Sequence, residues 1–130
     1  MDRLDRETTI AQERFSKLGV RLQRNDLKVR LWLPGLVDGT VILLDGAGYD
    51  AEPMSLSVVD TGGQPVAANQ WPGALCHGEH PVLRRPFACL RGLREYHAHP
   101  SHVGDNWDNY RNTIRLVDLV AHIVAKVPGS

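Results

Sequence analysis

Residues 27 to 33 alternate apolar with polar side chains, and that period of two constrains the fold more than any other feature. Leu27, Val29, Leu31 and Leu33 are interleaved with Lys28, Arg30 and Trp32, so an extended segment here has one apolar face. Pro34-Gly35 and Asp38-Gly39 mark a turn, Thr40 to Leu44 makes a partner strand, and Met54 to Val59 a third. Thr61-Gly62-Gly63-Gln64 reads as a tight turn into a short fourth strand around Val66-Ala67-Ala68. Strands gathered in one block predict an antiparallel meander rather than βαβ units.

Helical spacing flanks the block. Over residues 3 to 18, Leu4, Ala11, Phe15 and Leu18 fall on one stripe, and Gly19 supplies a stop. Over Asn112 to Val127, Leu116, Val117, Val120, Ile123, Val124 and Val127 form a broad apolar stripe. The segment from Pro72 to Pro86 is rich in Pro, Gly and His and reads as ordered loop. The expectation is an α+β fold: N-terminal helix, four-stranded antiparallel meander, loop-rich active region, C-terminal helix. At 130 residues the chain has the length of one domain, 1–130.

Charge excludes several function classes. Fifteen basic residues balance fifteen acidic ones, so there is no electrostatic footprint for nucleic acid and no basic amphipathic helix for a membrane surface. No apolar run approaches a membrane span, and the N-terminus MDRLDRETTIAQERF is too charged for a signal peptide. The expected location is the cytoplasm, with Cys76 and Cys89 as reduced thiols.

Chemistry concentrates between Trp71 and Trp107, which hold both cysteines and five of the six histidines. If Glu95-Tyr96-His97-Ala98-His99 is extended, Glu95, His97 and His99 share a face. With Cys89 approaching from the preceding segment, the set is one thiolate, one carboxylate and two imidazoles, the donors of a four-coordinate zinc site. His102 is a substitute for one of the four, and Cys76-His77-Gly78-Glu79-His80 offers a competing set. Alternatively Cys89 is a nucleophile, held as thiolate by His97, His99 and nearby arginines. The plainer reading is that Cys89, between Ala88 and Leu90, is a small buried apolar residue, and function is favoured over it. In the run Asp105 to Arg111, Asp105, Asn106, Asp108 or Asn109 is expected to cap the last helix, with Trp107 and Tyr110 anchoring the loop to the core. Asp45-Gly46-Ala47-Gly48 is too short for a phosphate loop, and there is no Gly-x-Ser-x-Gly elbow.

The order of parts resembles the ubiquitin-conjugating enzyme fold across nearly the whole chain. It is carried by the helix, the meander, Tyr49-x-x-x-Pro53, His80-Pro81, Cys89-Leu90, Trp107 and the last helix. The resemblance implies that Cys89 carries a ubiquitin-like thioester, with a ubiquitin-like protein and its activating enzyme as partners. The residue after His-Pro is Val82 where that family has Asn, so its oxyanion-stabilising amide is missing, and the Cys-to-Trp segment is longer than usual. The order Cys, Glu, His, His in CLRGLREYHAHPSH also resembles the bacterial Cys-Glu-His-His (CEHH) predicted metal-binding family of ubiquitin-like conjugation operons, a setting that implies antiphage defence. Two main functions are therefore expected of the stretch. One is conjugating-enzyme-type transfer through Cys89 aided by His97 and His99. The other is an accessory zinc site built from Cys89, Glu95, His97 and His99. Zinc-assisted hydrolysis and a non-catalytic interaction module stand behind them.

Overall fold

The computed structural model describes residues 3–129. Helix α1 spans Arg3–Phe15 and buries Leu4, Glu7, Ala11 and Phe15, the three- and four-residue spacing that keeps one helical face inward. It ends a residue group earlier than the sequence suggests: Ser16–Leu18 tightens into a 3₁₀ turn and Leu18 is half exposed. Gly19, at φ 77°, closes the turn with its N–H on the Ser16 carbonyl.

Four antiparallel strands follow in the order β1-β2-β3-β4: Arg21–Asn25, Lys28–Trp32, Thr40–Asp45 and Ser55–Asp60. The expected α+β arrangement and strand number hold, but one strand differs. The segment around Val66 to Ala68 adds only a single bridge, Val59 with Pro65, before a 3₁₀ turn at Ala68–Gln70. The fourth strand is instead β1, which pairs with β2 through a turn where Asp26 takes φ 59° and Leu27 is exposed. Only Leu22 of β1 is buried, so it carries almost no alternation to read. Its place is set from outside: the Gln12 side chain of α1 donates to the Val20 carbonyl at 2.9 Å and accepts the Leu22 N–H at 2.7 Å.

The register lines up two cross-strand apolar rows on one face. Leu22, Leu31, Ile42 and Val58 form one, and Val29, Leu44 and Leu56 the other; all seven are buried. Helix α3, Leu116–Lys126, adds Leu116, Leu119, Val120 and Ile123 to the same core and packs against α1. It begins at the first residue of its apolar stripe, four residues later than the expected start at Asn112. Its first N–H groups are served by Asp118, which accepts the Arg115 N–H at 2.8 Å, and by Glu7 of α1. The caps expected from the 105–109 run go elsewhere: Asn106 caps the 3₁₀ turn Trp107–Asn109. After α3 the chain passes so close to Gly35 that a Cβ there would lie 2.1 Å from the Pro128 carbonyl oxygen.

Between sheet and last helix, the loop-rich region contains a short hairpin, β5 (Gly78–Glu79) with β6 (Pro86–Phe87), and one helical turn, α2 (Arg94–His97). Trp71 and Leu75 pack into the core ahead of the hairpin. No helix among the described residues is long and apolar enough to cross a membrane.

Candidate functional site

Cys89 leaves β6 between buried Ala88 and Leu90, itself half-buried. Three residues later Gly92 takes φ 102°, and a Cβ there would sit 2.8 Å from Cγ2 of Ile114, so only glycine fits the bend. Leu93 then forms a parallel bridge with Met54, and the Arg94 N–H donates to the Met54 carbonyl at 2.7 Å. The chain is thus docked on the start of β4 before it turns into α2.

That turn corrects the extended reading of residues 95 to 99. In a helical turn successive side chains rotate by about 100° instead of 180°, so Glu95 and His97 point apart. Glu95 is fully buried beneath α2. Its carboxylate accepts from Ser55 Oγ at 2.5 Å, the Leu56 N–H at 2.8 Å and Arg85 Nη2 at 2.8 Å. His97 uses both ring nitrogens on backbone: Nε2 accepts the Gly92 N–H at 3.1 Å, which leaves Nδ1–H to donate to the Asp105 carbonyl at 2.7 Å. Burial holds its pKa below the ordinary histidine value, against the opposing pull of that carbonyl. His99 accepts from the Ser101 N–H and hydroxyl at Nδ1. Burial and the imidazoles of His80, His102 and His77 push it down as well.

The zinc set expected from Cys89, Glu95, His97 and His99 does not fit this arrangement, because Glu95 and His97 are already saturated by partners. Among the described residues no group of three or more His, Cys, Asp or Glu side chains is placed to hold a metal ion. The competing set fares no better. Cys76 Sγ lies 3.8 Å from the Gly78 carbonyl, His77 and Glu79 are exposed, and His80 is fully buried. His80 Nδ1 accepts the Val82 and Leu83 N–H groups at 3.1 and 3.0 Å, so its Nε2–H donates to the Glu95 carbonyl at 2.8 Å. This histidine braces the β5–β6 loop against α2.

The imidazole that meets Cys89 belongs to neither His97 nor His99. Cys89 Sγ lies 3.6 Å from Nε2 of His102, whose ring stacks on Tyr96 with centroids 4.0 Å apart and planes 16° from parallel. His99 is the next ring out, 5.6 Å from His102 between centroids. Burial pushes the Cys89 thiol up, only partly offset by the positive charge of Lys126. At rest this is a neutral thiol beside an imidazole. The groups expected from the sequence to hold a Cys89 thiolate are engaged elsewhere: His97 on backbone, His99 on Ser101, Arg85 on Glu95, Arg91 on Asp105, and Arg94 on the Ala47 and Pro53 carbonyls.

Behind the pair stands Asp105, half-buried, whose carboxylate accepts the hydroxyls of Tyr110 and Tyr96 and Arg91 Nε at 3.1 Å. Those bonds, Tyr110's first, hold its pKa down at about 2. Trp107 anchors the same loop as expected: it is buried, and its Nε1–H donates to the Asp50 carbonyl at 2.9 Å. A cleft of about 440 Å³ opens nearby between Pro53, Arg94, Val103 and Asp108, but neither Cys89 nor His102 lines it.

Residues 79–127, from β5 to the end of α3, match the Y4jH-like (Y4jH family) model. The matched span holds Cys89, His102 and Asp105 with all their partners. The chain is also similar to the uncharacterized protein y4jH of Sinorhizobium fredii (strain NBRC 101917 / NGR234), at 29% identity over 59% of this chain and 51% of the relative. It therefore spans about half the length of that curated relative.

A second polar cluster escaped the sequence reading. Glu7 and Asp50, both 8% exposed, share Arg115: it pairs with Glu7 and lies 2.9 Å from Asp50 Oδ2. Arg3 and Arg111 reach Asp50 at 3.1 and 3.4 Å, and the Tyr49 hydroxyl donates to Glu7 at 2.8 Å. Burial pushes Asp50 up, but Arg115 and the charges of Arg3 and Arg111 outweigh it and hold the carboxyl below its ordinary value. Burial and the charge of Glu7 push Tyr49 well above the tyrosine range. One signal was available: Glu7 sits on the apolar stripe of α1, three residues after Leu4 and four before Ala11.

Proposed function

We propose that the protein is a ubiquitin-conjugating-enzyme-like carrier that accepts the C-terminus of a ubiquitin-like protein on Cys89, with His102 as the general base. The observation that carries this reading is the approach of Cys89 Sγ to His102 Nε2 at 3.6 Å. A half-buried thiol whose pKa is raised needs such a base, and once deprotonated a thiol of high pKa is the stronger nucleophile. In the loading step Sγ attacks the carbonyl of the incoming thioester while its proton passes to His102 Nε2. The intermediate then collapses with loss of the activating enzyme's thiolate, which takes that proton. In the transfer step an amine attacks the Cys89 thioester, His102 takes the amine proton, and Cys89 leaves and recovers it.

The antiparallel meander between two helices and the His80-Pro81 step before Cys89-Leu90 support the same reading. Incubation with the activating enzyme, ATP and the ubiquitin-like partner is expected to yield a thiol-sensitive adduct. Cys89→Ser replaces it with a thiol-resistant ester or abolishes it, and His102→Gln slows its formation by about a hundredfold or more, the scale of general-base loss. No adduct on the wild-type chain overturns the proposal. The burial that raises the Cys89 thiol favours one alternative, an interaction module of the same fold without chemistry. That alternative binds the ubiquitin-like partner and forms no adduct.

A further inference from the structure

We propose that Asp105 is a positioning residue that sets His102 against Cys89. The inference rests on the reading of Cys89 and His102 as the reacting pair, and concerns how the pair is held. Residue 105 is where the loop's bonds meet. Its N–H donates to the His102 carbonyl at 2.9 Å, and its carbonyl accepts from His97 Nδ1 at 2.7 Å. Its carboxylate gathers Tyr96, Tyr110 and Arg91 from three separate positions along the segment. The Tyr96 hydroxyl is thereby fixed at one end, and the ring it belongs to is the surface on which His102 lies. Tyr96 itself is buried and rooted in α2, while His102 sits in a 3₁₀ turn, Pro100–His102, flanked by exposed Ser101 and Val103. Without the carboxylate that turn keeps backbone bonds but loses the fixed platform beneath the imidazole.

Arginine completes the clamp from outside. The Arg91 guanidinium lies 4.9 Å from the Tyr110 ring centroid and 5.8 Å from that of Tyr96, so it closes over both phenols while bonding the carboxylate between them. The arrangement is over-determined for a loop that merely connects α2 to α3. Its inner end is an imidazole facing a thiol.

The test is the rate at which iodoacetamide modifies Cys89 near neutral pH, in a Cys76→Ser chain where Cys89 is the one thiol. His102→Gln is expected to slow modification by about a hundredfold, and Asp105→Asn to slow it nearly as much. The His102→Gln/Asp105→Asn double variant is expected to be no slower than His102→Gln alone, since residues acting through one another are not additive. A purely structural loosening would instead expose Cys89 and speed its modification. Wild-type or faster rates in Asp105→Asn, or multiplied losses in the double variant, overturn the proposal. Should Asp105→Asn fail to fold, Tyr96→Phe, which keeps the ring and deletes only the hydroxyl, carries the same comparison. Failure of the carrier reading is distinguishable, because it shows as a missing adduct while the non-additive pattern persists.

Discussion

Glu95 shows how a chemically able residue can be spent entirely on structure. Its carboxylate accepts three hydrogen bonds at full burial, one of them from the edge of β4 and one from half-exposed Arg85. Deleting it strands the buried Leu56 N–H away from water and removes the acceptor of the part-buried Ser55 hydroxyl, while Arg85 swings out to solvent. Glu95→Ala is therefore expected to cost about 2–4 kcal/mol, and Glu95→Gln less, about 1–2 kcal/mol, because an amide oxygen still serves the backbone. Urea midpoints at unchanged slope measure both. Equal costs would mean that charge rather than occupancy of the buried acceptor positions is what matters. The sequence marks Glu95 as a candidate ligand but not as buried, since its neighbours Arg94 and Tyr96 give no apolar period to place it.

At the scale of elements, α1 and α3 are joined by a carboxylate that also works as a helix cap. Glu7 Oε1 accepts the Leu116 N–H at 2.9 Å, placing negative charge on the positive end of α3 where the first N–H groups lack partners. Its other oxygen holds Arg115, which in turn holds Asp50. Glu7→Gln keeps one acceptor and loses the ion pair, for an expected cost of about 1–2 kcal/mol. Glu7→Ala loses both and leaves a largely buried guanidinium with one partner fewer, for about 3–4 kcal/mol. Chemical denaturation of the two variants checks this order, and a reversal would remove the capping role. The same scale explains why the edges of elements were misread. Strand β1 and the start of α3 are defined by side chains from α1, outside the elements themselves: Gln12 reaches Val20 and Leu22 across the turn, and Glu7 reaches Leu116 from the other end of the chain.

Across the whole molecule, stability is expected to be uneven. The buried rows of β2 and β3 lie at the centre of the sheet with strands on both sides, whereas residues 98–106 are held by 3₁₀ turns and the Asp105 clamp over largely exposed chain. Amides of β2 and β3 should exchange slowest, near the global unfolding free energy, and those of residues 98–106 fastest by orders of magnitude. Hydrogen exchange read by mass spectrometry tests this. Protection over 98–106 equal to that of the sheet would make the site segment part of the core.

Local pattern alone determined that this chain has a helix, a block of antiparallel strands and a second helix. Periods of two and 3.6 report which side chains can share a face, whatever the rest of the chain does. It also singled out the stretch from Cys89 to Trp107, which holds Cys89, His97, His99 and His102. Only the tertiary structure decided which imidazole faces the thiol. The period of residues 95–99 was not their own: docking of Leu93 and Arg94 on Met54, and the bend at Gly92, wound them into a turn. That turn sent Glu95 into the core and His97 onto backbone. His102 came to Cys89 because Tyr96 and Asp105, drawn together by folding, built the surface it rests on.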